Sequence, residues 1–395
     1  MARIISFDSR LAEGRHRPSH QGQIVRHFTP NWFATTMGTG ILSIGLAQIP
    51  SQPLLFLVGQ ALWLFNILIF SLCCALYLTR WMFYPHEAAK IFQHPVASMF
   101  FGCIPMGLAT IINGFLIYGP SHLGGHLTTL IAISLWWFDV ALSVVCGLVV
   151  PFMMFTRQSH TIETMTAVWL LPIVACEVAS VSGGLLLPHI DVSTAELAVM
   201  TVSCVLWACS VPLAMSILVI LFLRLVLHKL PHVGMAATSW LALGPIGTGA
   251  LSLFVMSQNA PEVLAANGLG SMATAIAGAS FLGGLLLWGY GTWWLAIALM
   301  ITLRYLKDGI PYNIGWWGYT FPLGVYAVAT ARLAAIVPLA PLGWMASILV
   351  GALALVWIIV ALRTLSGIAD RSLFVAPCIA NDREITASQM DNFSK

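Results

Sequence analysis

The stretch GWWGYTFPLGVYA, residues 315 to 327, lies in a long apolar segment but contains three glycines and a proline where a membrane helix should be regular. Pro322 has no backbone N–H and Gly324 has no side chain, so both residues weaken the interior of a helix. A large aromatic side chain, Phe321, directly precedes the proline. The stretch therefore predicts a helix that is interrupted beside a bulky ring.

The composition is typical of a membrane protein, because 59% of the 395 residues are hydrophobic and only 8% are charged. Soluble domains have about 25% charged residues. A helix needs about 20 mostly apolar residues to cross the hydrocarbon core. Ten segments meet this requirement, at residues 30 to 49, 53 to 79, 95 to 118, 126 to 156, 165 to 187, 195 to 227, 239 to 257, 273 to 305, 316 to 337 and 341 to 364. We therefore predict an all-α integral membrane protein, with a ten-helix domain at 30–364 between tails at 1–29 and 365–395.

Positive charge predicts the orientation of the chain, because Lys and Arg stay on the cytoplasmic side of a membrane. Of the 17 Lys and Arg residues, all but Arg332 fall on the side of the two tails. Arg332 lies within the ninth segment, near its outer end. We expect both termini to be cytoplasmic and the chain to be a multi-pass protein of the inner or plasma membrane.

The odd-numbered segments share one design, which is rich in small residues. Their centres read TTMGTGILSIG (35 to 45), IPMGLATIING (104 to 114), LPIVACEVASV (171 to 181), GPIGTGALSLF (244 to 254) and FPLGVYAVATA (321 to 331). Four of them carry a proline at the same place, where the first has Thr36. The even segments are longer and rich in Leu, Trp and Phe. The pattern predicts five helical hairpins of one kind.

Irregular backbone is tolerated at membrane depth only where it is buried in protein or lines a water-filled cavity. We therefore predict an inner ring of the five odd helices around a central pore, and an outer ring of the five even helices against lipid. The alternative is that small residues and prolines only permit close helix packing. The residues predicted to line the pore or to break its helices are Thr36, Gly38, Gly40, Pro105, Gly107, Pro172, Pro245, Gly247, Thr248, Gly249, Pro322 and Gly324.

The predicted pore favours anions. Each break exposes unpaired backbone amides, and a half-helix that begins at a proline directs a partial positive charge at the cavity. No GxxxxGK[ST] run indicates ATP hydrolysis, and no His or Cys cluster indicates a metal site. We expect no metal, no cofactor and no nucleic-acid partner. The expected partners are a small anion and the lipid bilayer.

Three charged residues lie within the segments, where charge is costly and marks a functional candidate. Asp139, on an even segment, has a structural or a functional role. Glu177, on an odd segment, is either kept protonated by burial or acts as a proton site coupled to transport. Arg332 either attracts anions at the outer mouth or extends to the interface.

Five blocks of the chain resemble the tellurite-resistance/dicarboxylate transporter family. The blocks are FTPNWFATTMGTGILSI (28 to 44), HPVASMFFGCIPMGLATIING (94 to 114), WWFDVALSVVCGLVVPF (136 to 152), AVWLLPIVACEVASVSGG (167 to 184) and NIGWWGYTFPLGVYAVAT (313 to 330). That family also contains fungal sulfite efflux pumps, the fission-yeast type malate permease and plant guard-cell slow anion channels. The resemblance extends from about residue 28 to about residue 378.

The resemblance implies a ten-helix protomer, a homotrimer with one pore in each subunit, and a pore phenylalanine at the position of Phe321. The sequence singles out the same residue, because the other odd segments have smaller or aliphatic side chains there: Thr35, Ile104, Leu171 and Gly244. The sulfite efflux branch is resembled most in IPMGLATIING, AVWLLPIV and GWWGYTFPLGVYA and in the segment ALRTLSGIADRSLFVAPCI (361 to 379). GPIGTG at 244 to 249 departs from the GPLGQG expected in that branch, so Thr248 leaves the substrate open.

The leading hypothesis is the export of a small anion, sulfite, through a pore that Phe321 closes at rest. The alternative within transport is a C4-dicarboxylate such as malate, which calls for a wider pore and a fixed cation. A hypothesis of another class is a membrane-embedded enzyme. Such an enzyme needs catalytic residues at one depth, yet Asp139, Glu177 and Arg332 fall on three separate segments.

Overall fold

The computed structural model describes residues 22–191 and 193–379, and within these ranges the regular structure is helical, with no strand. Ten helices of 14 to 37 residues form the molecule, and the odd and even members differ in place and in length. The odd helices are α1 (Ala34–Ala47), α3 (Cys103–Tyr118), α5 (Leu171–Leu186), α7 (Leu243–Ala266) and α9 (Thr320–Ile336). The even helices are α2 (Pro53–Phe83), α4 (Gly125–Thr156), α6 (Ser193–His228), α8 (Gly270–Leu306) and α10 (Ala340–Ala369).

The odd helices form a closed inner ring. In the ring α1 packs against α3, α3 against α5, α5 against α7, and α7 against α9, and α9 returns to contact α1. Each even helix packs against the odd helix that precedes it in the chain. The predicted arrangement of five hairpins with an inner and an outer ring is therefore confirmed.

Burial separates the two rings clearly. In the most apolar stretch of α3, α5, α7 and α9, 72% to 94% of the residues are buried. The corresponding fraction is 6% to 33% for the even helices. The even helices expose large apolar side chains, such as Leu68, Phe155 and Leu286. These faces are suited to lipid, because apolar side chains gain nothing from exposure to water.

Nine helical segments of the described chain are long and apolar enough to cross a membrane. The remaining one, α1, has 14 residues, and the 3-10 turn Pro30–Phe33 precedes it directly. Because a crossing needs about 20 residues, α1 is short for a span by itself. The all-α membrane fold is confirmed, whereas the tenth crossing stays a prediction.

A short, tightly wound segment precedes each inner helix. The 3-10 segments Pro30–Phe33, Ala97–Gly102, Ala167–Leu170 and Ile314–Tyr319 lead directly into α1, α3, α5 and α9, and the short helix Thr238–Leu241 precedes α7. The repeated prolines occupy the second or third position of the following helix. Proline is tolerated there because the first N–H groups of a helix lack an intrahelical partner. The interruptions therefore lie at one end of the ring, and for α1, α3, α5 and α9 they coincide with the change from 3-10 to α geometry.

The seventh helix is longer than its sequence suggested. Its predicted span ended at residue 257, because polar residues and Pro261 follow, yet the helix continues to Ala266 with Pro261 inside it. Ala260, Val263 and Leu264 are buried in an apolar cluster at this end of the molecule. Their burial holds the extra turns in place, so the connection to α8 shortens to three residues, 267 to 269.

A glycine lies at every contact of the inner ring. Gly107 faces the hydroxyl of Thr36 between α1 and α3, and Gly102, just before α3, faces the backbone of Leu171. Gly184 on α5 faces Val255 on α7, and Gly247 on α7 faces the backbone of Tyr326 on α9. Gly38 and Gly324 both lie at the contact between α9 and α1. A Cβ atom at any of these positions would lie 2.1 to 3.0 Å from a neighbouring heavy atom. Small residues thus bring the inner helices into close contact.

The two ends of the described chain meet beside the start of α1. The Trp32 ring stacks on Phe374 with centroids 5.0 Å apart, and the backbone N–H of Ala376 donates to His27 Nδ1. Arg26 donates to both carboxylate oxygens of Glu87, at 2.7 and 2.6 Å. The segment after α10 is therefore fixed along the end of the ring where the inner helices begin.

Candidate functional site

A cavity of about 600 Å³ opens at the end of the ring where the inner helices begin. Its wall is built from the 3-10 segments, the first turns of all five inner helices, the last turns of α10 and residues 372 to 377. A cavity of this size holds a small anion together with several water molecules. On the predicted orientation, this is the cytoplasmic end.

The cavity ends one turn into the ring. On α1, α3 and α5 its deepest lining residues are Met37, Met106 and Val174, each at the fourth position of its helix. Phe321, at the second position of α9, lines the cavity as well. These four side chains are only 1% to 4% exposed. We call them the floor of the cavity.

Phe321 is the predicted gate residue that lies at the floor, with Pro322 beside it and Pro245 on α7 lining the same cavity. Sequence reasoning missed the other three floor residues. Met37, Met106 and Val174 are ordinary apolar residues within helical segments, so nothing in the sequence distinguishes them from core residues. What they share is the fourth position of their helices, and this depends on where each helix begins in the structure.

The backbone amides at the start of the inner helices are not unpaired, contrary to our expectation. The N–H of Ala34 donates to carbonyls of the preceding 3-10 turn, and Cys103, Leu171 and Thr320 are bonded in the same way. The expectation was wrong for these four amides because each inner helix directly follows a 3-10 turn whose carbonyls accept its first N–H. The dipoles of five helices still direct their positive ends towards the cavity. An anion there therefore meets a weak positive field.

Two charged residues line the described part of the cavity, Arg363 on α10 and Asp370 directly after this helix. Arg363 has no ion-pair partner within residues 22–191 and 193–379, and its charge acts on Tyr312. Tyr312 shares a 2.6 Å hydrogen bond with the hydroxyl of Thr364. Burial raises the pKa of Tyr312, against the opposing effects of Thr364 and Arg363, so this phenol stays neutral. Nothing in the sequence separates Arg363 from the other Lys and Arg residues on the predicted cytoplasmic side.

The predicted glycines lie at helix contacts and do not line the cavity. Gly38, Gly107, Gly247 and Gly324 belong to the ring junctions described above. Gly40 faces the hydroxyl of Thr110, and Gly249 faces Val211 on α6. Their positions match the packing alternative that the sequence left open.

The threonines predicted at the pore bond to their own backbone. The hydroxyl of Thr36 donates to Phe33 O, and the hydroxyl of Thr248 donates to Gly244 O, at 2.7 and 2.8 Å. Both residues are buried and lie outside the cavity lining. Pro105 and Pro172 occupy the first turns of α3 and α5 without lining the cavity.

The charged residues within the helices lie away from the cavity. Glu177 is fully buried, and neither of its carboxylate oxygens has a hydrogen-bond partner in the described chain. The neighbouring hydroxyl of Ser210 donates to Ile173 O instead. Asp139 on α4 is also buried, and neither of its carboxylate oxygens has a hydrogen-bond partner in the described chain. Arg332 is half-buried and donates to Gln258 Oε1 at 3.0 Å.

A closed ring of interrupted helices around an occluded cavity, with lipid-facing helices outside, defines a membrane channel or transporter. Residues 27–365 match the family model described as voltage-dependent anion channel, and the chain belongs to this family. The resemblance seen in the sequence blocks is therefore confirmed.

Similar proteins include transporters of two anions. A sulfite efflux pump of Arthroderma benhamiae is 38% identical over 315 residues, which cover 78% of this chain and 82% of the relative. An uncharacterized transporter of Methanocaldococcus jannaschii is 30% identical over 353 residues, covering 89% of this chain and 97% of the relative. A malic acid transport protein of Schizosaccharomyces pombe is 26% identical over 318 residues, covering 76% and 69%. These names describe transporters, which points away from an enzyme.

Proposed function

We propose that the chain exports a small anion, sulfite, from the cytoplasm. The observation that carries the proposal is the occluded cavity at which five inner helices begin, with their positive dipole ends directed towards it. The 38% identity to sulfite efflux pumps supports sulfite as the anion. The weak dipole field favours passage over tight retention.

The sidedness follows from the charge pattern. If the end rich in Lys and Arg faces the cytoplasm of an inner or plasma membrane, the cavity is filled from inside the cell. An inside-negative potential then drives an anion outwards by about 2.3 kcal/mol per charge for each 100 mV. Export of an anion needs no other source of energy under these conditions.

Phe321 is proposed as the gate, and Met37, Met106 and Val174 complete the barrier. The support is that all four residues line the cavity and that each is at least 96% buried. Phe321 is the one of the four that lies on α9, so movement of its ring leaves the side chains on α1, α3 and α5 in place.

Two arginines are proposed to attract the anion at opposite ends. Arg363 lines the cavity and captures the anion on the cytoplasmic side. Arg332 lies on α9, eleven residues beyond Phe321, which is about 16 Å along a helix. It is proposed to act at the outer mouth. The protomers are proposed to form a homotrimer, on the strength of the family resemblance alone.

Counterflow in proteoliposomes tests the function. Vesicles loaded with unlabelled sulfite should accumulate labelled sulfite, and Arg363→Gln should slow this uptake most at low sulfite concentration. Arg157→Gln, at the end of α4 and outside the cavity lining, is the matched control. Labelled malate in parallel tests the second candidate, which the malic acid transport relative favours. Malate exchange without sulfite exchange would contradict the proposal.

A further inference from the structure

One polar side chain of the inner ring, Asn113 on α3, is buried without a hydrogen-bond partner in the described chain. It is 7% exposed, and no hydrogen bond joins its carboxamide to a residue of 22–191 or 193–379. Buried polar groups are nearly always hydrogen-bonded, because an unpaired group loses its bonds to water without compensation. Asn113 therefore calls for a role beyond packing.

Asn113 lies beyond the floor of the cavity. Met106 belongs to the floor, and Asn113 follows it by seven residues on the same helix. Seven residues make nearly two complete turns and about 10 Å of rise, so the two side chains lie on one face of α3. Gly114, on a neighbouring face, contacts Trp63 of the outer ring instead. The carboxamide is thus placed where the pathway continues outwards from the floor.

The corresponding positions of the other inner helices are apolar. The residues seven positions after Met37, Val174 and Phe321 are Ile44, Val181 and Val328, and each of them is at least 93% buried. Within this set of four positions, only Asn113 offers a hydrogen-bond donor to an anion.

Nearby buried polar groups have partners within the protein. Ser180 and Ser252 share a 2.8 Å hydrogen bond between α5 and α7. Asn66 on α2 donates to the hydroxyl of Thr110 at 3.1 Å. Asn113 differs from these residues, because neither end of its carboxamide is bonded in the described chain.

We propose that the Asn113 carboxamide is an anion-binding site beyond the floor, where its N–H groups donate to an oxygen of a permeating oxoanion. The proposal rests on the proposed function, which brings an anion past Phe321, but not on the identity of that anion. A hydrogen bond to a charged group is stronger than one between neutral groups. The carboxamide itself carries no charge, so it compensates the anion for lost water and still releases it.

The first test removes the donors. Leu branches at the same atom as Asn and has no polar group, so Asn113→Leu should lower nitrate and sulfite flux in proteoliposomes about tenfold, the effect of losing one hydrogen bond to a charged group. Asn113→Gln keeps the N–H groups and should retain more flux than Asn113→Leu. Parental flux in well-folded Asn113→Leu protein would overturn the site.

The second test replaces the carboxamide by a carboxyl group of the same shape. The side chain introduced by Asn113→Asp is negative only while it is ionised, and this charge repels an anion at the site. The nitrate rate of the variant, divided by the parental rate at the same pH, should fall between pH 5 and 9 and recover when the pH is lowered again. The division removes the titration of groups that both proteins share, such as Glu177. A ratio that is independent of pH would reject the site.

The matched control is Ser121→Asp, which adds the same charge at an exposed position of the connection between α3 and α4. Its ratio should stay constant with pH. An equal fall in both variants would show a general effect of added charge and contradict a site at Asn113.

Nitrate and sulfite together separate this proposal from the proposed function. If Asn113→Leu lowers nitrate flux while the parent carries no sulfite, the site is supported and sulfite is rejected as the substrate. If the parent exchanges sulfite and Asn113→Leu leaves both fluxes at the parental level, sulfite export is supported and the site is rejected.

Discussion

Phe321 is the largest side chain of the floor, and its removal is the most direct test of the gate. Phe321→Ala should raise anion conductance by about tenfold or more, the effect of lowering a barrier by about 1.4 kcal/mol. Planar-bilayer recording with nitrate measures the change. Phe321→Leu should give an intermediate conductance.

The control for this prediction is Phe100→Ala, because Phe100 lines the cavity wall from the 3-10 segment Ala97–Gly102, above the floor. Loss of that ring should change the conductance little. A buried Phe→Ala change costs about 3 to 5 kcal/mol of stability, so each variant must first elute as a single folded species. Unchanged conductance in folded Phe321→Ala protein would reject Phe321 as the gate.

Glu177 is either a neutral structural residue or a proton site coupled to transport, and one substitution distinguishes these roles. Gln has the shape of a protonated Glu, so Glu177→Gln should fold like the parent if the carboxyl is neutral in the buried site. If Glu177 is a proton site coupled to transport, the variant should lose the pH dependence of nitrate flux, which is measured in proteoliposomes. A pH dependence identical to that of the parent would leave Glu177 with a structural role only.

A functional residue could be predicted from the sequence only where it differs from the residues at the same place in the other repeats. Phe321 differs from the corresponding residues of the other repeats, and this contrast predicts it as the gate. Met37 and Val174 offer no such contrast, because only the structure shows that they line the cavity. Arg363 is one of many Lys and Arg residues on the predicted cytoplasmic side, and only the course of α10 brings it to the cavity.

Among the helices, the close contacts of the inner ring make their own prediction. A Cβ atom at Gly102 would lie 2.1 Å from the carbonyl oxygen of Leu171, and backbone cannot move aside as a side chain can. Gly102→Ala should therefore lower the free energy of unfolding by about 1 to 3 kcal/mol. Thermal unfolding in detergent measures the loss.

The matched control is Gly351→Ala on α10, where no heavy atom lies within 4 Å of the added Cβ. That change should be neutral or stabilising by up to about 1 kcal/mol, because Ala favours helix more than Gly does. Equal stability of the two variants would contradict a tight contact between the starts of α3 and α5.

The elements themselves were largely predictable, since long apolar segments and repeated prolines carry strong local signals. The 3-10 segments were not, because a proline marks the first turn of a helix and an interruption equally well. The sequence left two roles open for the glycines, lining the pore or permitting close helix packing. The role depends on which helix each glycine faces, and this is known only once the arrangement of the helices in the ring is known.

For the whole molecule, the ion pair between Arg26 and Glu87 predicts a dependence of stability on pH. The hydrogen bonds from Arg26 lower the pKa of Glu87 outside the membrane-spanning helices. A carboxyl with a lowered pKa stabilises the fold above its ordinary pKa, and this contribution is lost as pH falls through the lowered value. Glu87→Gln should therefore destabilise the protein at neutral pH by up to about 1 kcal/mol and have no effect in acid.

Thermal unfolding of detergent-solubilised protein at several pH values measures this effect. The pair Arg304–Asp308 is the control, because its side chains are 58% exposed and water screens the attraction. Asp308→Asn should change stability less than Glu87→Gln at every pH. The same loss for Glu87→Gln in acid as at neutral pH would contradict the assigned pair.

The closure of α9 onto α1 has a consequence for biosynthesis. These two helices lie near opposite ends of the chain, yet their contact closes the inner ring. Contacts between segments distant in sequence form late in folding, and domains generally fold in order of synthesis. A nascent chain that lacks the last hairpin consequently cannot form the closed ring.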